Sequence, residues 1–127
     1  MAAIKQDDLI ESVADAFQYI SYYHPKDYID ALALAYEREE SSAAKDAIAQ
    51  ILTNSKMSAQ GRRPMCQDTG LAVVFVKLGM EVKWSGATMT VDEMIHEGVR
   101  RAYTHPDNKL RASVVKDPAN RRVNSRD

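Results

Sequence analysis

One short motif, Pro64-Met65-Cys66-Gln67-Asp68-Thr69-Gly70, runs directly into an unbroken apolar stretch, Leu71 to Val76. Six residues rich in Val with no polar interruption read as a buried strand. The loop before it carries a thiol, an amide, a carboxylate and a hydroxyl, with two cations, Arg62 and Arg63, just upstream. Polar groups pressed against a buried strand cost free energy unless they are paired or have a task. This junction therefore anchors both the fold and the search for chemistry.

Upstream of the junction the periodicity is helical. Leu9, Ile10, Val13, Phe17 and Ile20 recur at three- and four-residue spacing, which places them on one helix face. Asp8 with Glu11 three residues on resembles a capped start. His24-Pro25 interrupts, because proline disfavours a helical residue before it. A second helix follows with Ile29, Leu32, Ala33 and Tyr36 as its stripe. Ser41 or Ser42 caps a third, whose face is Ala44, Ala47, Ile48, Ile51 and Leu52. From Asn54 to Pro64 the residues are those of a loop.

Downstream, Gly79 marks a turn and Glu81 to Trp84 alternates as a second strand. Thr90-Val91-Asp92-Glu93 has the form of a capping box. It opens a helix through Tyr103, with Val91, Met94, Ile95, Val99 and Ala102 facing inward. The remainder reads as extended or irregular, with Val114 and Val115 its main apolar anchor. The expected fold class is α+β: an N-terminal helical bundle packed on a small sheet. The whole chain, 1–127, reads as one domain, with a helical subregion 1–58 and a loop-and-sheet subregion 59–127.

Composition narrows the function classes. A formal net charge of -1 over 127 residues gives no general case for nucleic acid or membrane binding. Residues 1–58 hold ten Asp/Glu against five Lys/Arg, whereas 109–127 hold six Lys/Arg against two Asp. That tail suits either an anionic ligand or plain solvation. A single cysteine forms no internal disulfide, which points to a reducing compartment. No secretory leader is visible, and the longest apolar run is too short to span a bilayer. The expectation is a soluble cytoplasmic protein.

Each candidate side chain has a functional and a plain reading. Cys66 is either a small buried hydrophobe or a thiolate with a role. A nucleophile needs a base, and His24, His96 and His105 reach it only through folding. An iron–sulfur cluster takes three or four cysteine thiolates, of which this chain supplies one. Gln67 can donate to a carboxylate. Asp68 can orient water or another ligand, or move a proton; Asp-Thr-Gly is also ordinary turn chemistry. Arg111, in Leu110-Arg111-Ala112-Ser113, suits bidentate capture of a carboxylate or an ion pair at the surface.

Taken together, the segments resemble the class I iron–sulfur fumarate hydratases. The resemblance lies in Gly61 to Gly70, Val74 to Met80, Trp84 to Met89, residues 97–103, Leu110 to Val114, Asp117-Pro118 and Asn124 to Asp127. It covers essentially residues 54–127, and the alpha subunits of tartrate dehydratases share it. Ser125 stands where the family usually has Thr. The resemblance implies a [4Fe-4S] cluster held by three cysteines, one iron of which acts as a Lewis acid in the interconversion of malate and fumarate, a tricarboxylic acid cycle reaction. It implies that Cys66 is a cluster ligand, that Gln67 and Asp68 line the substrate pocket, and that Arg111 grips a substrate carboxylate. The main base and the other two cysteines are expected beyond residue 127. The chain is thus expected to be a fragment of a larger hydro-lyase domain, inactive alone and completed by the C-terminal portion of the same enzyme in a homodimer. Two alternatives are a tartrate dehydratase and a non-enzymatic helical interaction module with an inert cysteine.

Overall fold

The computed structural model describes residues 3–66, 70–105, 115–117 and 122–123. Their order is β1 (Ala3–Lys5), α1 (Gln6–Tyr22), α2 (Lys26–Arg38), α3 (Ser42–Gly61), β2 (Lys83–Ser85), α4 (Val91–Thr104), β3 (Val115–Asp117) and β4 (Arg122–Val123). Helices with short strands make the class α+β, as expected. The chain forms two compact units, one of Met1–Gln18 with Asp68–Asp127 and one of Tyr19–Gln67.

In the first unit, β1 and β2 pair in parallel, with Ile4 opposite Trp84. The sequence reading missed β1, since three residues are too few to show a period. The Gln6 carboxamide oxygen accepts from the Thr88 and Met89 amides at 2.9 and 3.1 Å, fixing the approach to α4. That helix starts on the expected capping box. Thr90 Oγ1 accepts from the Glu93 amide, and Glu93 accepts in return from the Thr90 amide at 2.7 Å. This bond holds the Glu93 carboxyl below its ordinary range.

The core of this unit joins Val13, Phe17, Ala102 and Tyr103, while Ile10 and Met94 are sealed from solvent at 1% and 0% exposure. Gly98 permits the fit of α4 on α1: a Cβ there would lie 2.7 Å from Val13 Cβ and 2.8 Å from the Ile10 carbonyl oxygen. Gln18 adds a polar tie, its Nε2 donating to the Ala102 carbonyl at 2.8 Å. Helix α1 begins at Gln6, so Asp7 and Asp8 occupy its first turn, where carboxylates suit the helix dipole. Asp8 is therefore not the cap.

Leu71 to Val76 is not a strand. Its residues pair with no other strand among the described residues, and Phe75 is 95% exposed. Only Ala72 packs on the core. A β-rich run forms a strand only where a neighbour offers a ladder, and here the ladder joins β1 to β2 instead. In the tail, β3 and β4 pair antiparallel, with Val115 opposite Val123; Val114 lies outside the described residues.

In the second unit, α2 packs against α3, with the Lys45 ammonium 5.0 Å over the Tyr36 ring. Ser41 caps α3, accepting from the Ala44 amide. The expected stripes are only half-buried: Ile29, Leu32, Ile48 and Leu52 are partly covered, Ala33, Tyr36, Ala47 and Ile51 are exposed, and α2 has no buried residue. Ile20, expected inward, is 59% exposed. The buried side chains of α3 are Ser55 and Ser58.

A candidate site on the Cys66 loop

Helix α3 runs through Asn54–Gly61, the stretch whose composition reads as a loop. Its polar side chains have partners that offset their weak helix propensity. Asn54 Nδ2 donates to the Met65 carbonyl at 3.1 Å, and Ser55 Oγ shares a 2.9 Å hydrogen bond with His24 Nδ1. The helix then stops at Arg62, which takes the left-handed conformation with φ 46°. The Ser58 carbonyl accepts from both the Arg62 and Arg63 amides, satisfying an end-of-helix acceptor. Gly61, the residue better suited to that conformation, stays helical.

The loop Arg63–Cys66 returns to the end of α1. Ser21 lies four residues before Pro25, which has no N–H to continue the helical ladder. The Met65 N–H takes that place, donating to the Ser21 carbonyl at 3.0 Å. Met65 is thus held at both polar groups of its backbone, immediately before the thiol. Tyr22 is buried beside this turn; desolvation pushes its phenol up, with the Arg62 guanidinium pulling the other way.

Cys66 itself is exposed and free of any disulfide, so it is not the buried hydrophobe that is one reading of the sequence. A soft thiol at the surface is the correct donor type for iron. Among the described residues, no three His, Cys, Asp or Glu side chains stand together as a metal site. Gln67, Asp68 and Arg111 lie outside the described residues. His24 is engaged by Ser55 and stacks on Tyr28 at 4.6 Å between ring centroids. His96 lies 3.6 Å from Asp92 on an exposed turn of α4. Sequence reasoning missed Asn54 and Ser21; the signal available was Pro25 at i+4 from Ser21.

Residues 10–127 match the family model described as fumarate hydratase (Fumerase). The chain belongs to the fumarate hydratase family. Among its relatives is a protein of Methanocaldococcus jannaschii, provisionally named L(+)-tartrate dehydratase subunit alpha, 37% identical over 103 residues, which are 81% of this chain and 35% of that protein. The anaerobic class I fumarate hydratase of Escherichia coli K12 is 37% identical over 85 residues, 67% of this chain and 15% of that enzyme. The L(+)-tartrate dehydratase subunit alpha of the same strain is 32% identical over 83 residues, 65% of this chain and 27% of that subunit. The chain therefore spans about a third or less of the length of these relatives. No helix among the described residues is long and apolar enough to cross a membrane.

Proposed function

We propose that this fumarate hydratase family member forms part of a cytoplasmic hydro-lyase that interconverts (S)-malate and fumarate at a [4Fe-4S] cluster. The observation that carries the proposal is an exposed, disulfide-free thiol on a loop tethered at Met65, inside the matched region 10–127. The donor chemistry fits: a thiolate is the ligand iron–sulfur clusters take, and Cys66 would hold one corner. When bound, the cluster supplies a Lewis-acidic iron for the substrate hydroxyl.

The chain's own residues do the rest of what we assign to it. Gln67 donates a hydrogen bond to a substrate carboxylate. Asp68 orients water or a neighbouring group, or relays a proton. Arg111 binds the second carboxylate with its planar fork, as a dianionic substrate requires. The remaining cluster ligands and the main base come from the C-terminal portion of the same enzyme, and the whole works as a homodimer. The exposed apolar run Leu71–Val76, and the short share of each relative that this chain spans, support that reading.

The tartrate alternative has a specific observation in its favour, the 37% identity over 103 residues to the Methanocaldococcus protein. Comparing turnover of malate and tartrate by the anaerobically reconstituted complete enzyme separates the two. A higher kcat/KM on malate is expected; a higher value on tartrate overturns the malate assignment. The 127-residue chain alone is expected to convert neither, since it offers one thiol.

A further inference from the structure

We propose that Asn54 is a positioning residue for the Cys66 thiolate. The inference deepens the reading above and rests on Cys66 being a cluster ligand. Ser21 lies far in sequence from Asn54 and Met65, yet two hydrogen bonds join the three at one residue's backbone. The Ser21 carbonyl takes the Met65 N–H at 3.0 Å, and the Asn54 amide gives its hydrogen to the Met65 carbonyl at 3.1 Å. That carbonyl is the acyl half of the peptide bond to Cys66. Its plane sets the direction in which the Cys66 Cα leaves.

The choice of residue has a physical cost that points the same way. Asn54 is exposed on α3, seven residues before its end at Gly61. An exposed helical site favours Ala, Lys or Glu, and Asn there gives up about half a kcal/mol of helix propensity relative to Ala. The side chain that offsets this loss is a short primary amide, able to donate while its backbone stays in the helix. Asp has the same shape but presents only acceptors to the Met65 carbonyl when ionised.

Asn54→Ala is expected to change thermal stability little, because the helix propensity gained by Ala, about half a kcal/mol, offsets much of the lost hydrogen bond. The same variant is expected to speed amide hydrogen exchange at Met65 by about fivefold to tenfold, the worth of one lost hydrogen bond. Asn54→Asp, which sets an acceptor against an acceptor, is expected to do at least as much. In the complete enzyme loaded anaerobically with iron and sulfide, both variants should release iron to a chelator several times faster than the unaltered protein.

Unchanged exchange at Met65 in Asn54→Ala overturns the clamp. Faster exchange with an unaltered rate of iron release overturns the positioning role, leaving Asn54 a purely structural tie. Retention of the full cluster by Cys66→Ala instead defeats the cluster-ligand reading itself, whatever Asn54 does. The first two results are separated by iron release in Asn54→Ala, and the third is read on Cys66→Ala.

Discussion

At Arg62 a bulky residue sits where the backbone favours glycine, one position after a glycine that does not use its freedom. Left-handed backbone costs an L-residue roughly 1–2 kcal/mol, part of which glycine loses again through its freer unfolded state. Arg62→Gly is therefore expected to raise stability by about 0.5–1 kcal/mol, read as a higher urea midpoint; a lower midpoint would mean that the arginine side chain contributes more than its backbone costs. Glu97 on α4 bonds Arg100 at 2.7 Å and Arg101 at 2.9 Å. Chiefly through the Arg100 hydrogen bond, against the opposing effect of burial and with help from Arg101, its carboxyl is lowered from the ordinary 4.5 to about 2. A depressed carboxylate stabilises the fold above its unfolded pKa and loses that contribution as pH falls through its folded one. Glu97→Gln should cost about 0.5–1 kcal/mol at pH 7. The difference should shrink between pH 4.5 and 2, measured by denaturant unfolding at each pH; a gap that persists at the acid end would contradict the pairing.

Among the elements, the contact of α1 with α4 makes the sharpest demand on sequence. Gly98→Ala in an exposed helix would gain about 1 kcal/mol. Here the added methyl would stand 2.7 Å from Val13 Cβ, with the Ile10 backbone close behind, and neither is the end of a flexible chain. The substitution should destabilise by about 1–3 kcal/mol; any stabilisation would show that the two helices do not approach this closely. The sequence discloses the elements with strong local signals. The capping box of Thr90 and Glu93 and the amphipathic face of α1 depend on residues three and four apart; the box forms as the spacing predicts, and so does the face at Ile10, Val13 and Phe17, though not at Ile20. The C-terminal half of α3 was hidden because the side chains of Asn54 and Ser55 find their partners outside the helix, at the Met65 carbonyl and at His24. The stretch Leu71–Val76 misled for the converse reason: strand propensity is local, but a strand needs a neighbour.

For the molecule as a whole, family membership follows from the matched region, and the chemistry is proposed to assemble around one thiol. Cys66 was legible as the singular residue of the chain, whereas its exposure and the tether at Met65 were not, since both depend on where α1 and α3 end. Gln67, Asp68 and Arg111 lie outside the described residues, and the roles proposed for them rest on the family resemblance. The most direct measurement is the iron and acid-labile sulfide bound per polypeptide by the complete enzyme after anaerobic reconstitution, compared with its Cys66→Ala variant. The account predicts a brown protein carrying a four-iron cluster and a variant that does not hold one. A complete enzyme that is fully active without iron, or a variant that keeps an intact cluster, would contradict it.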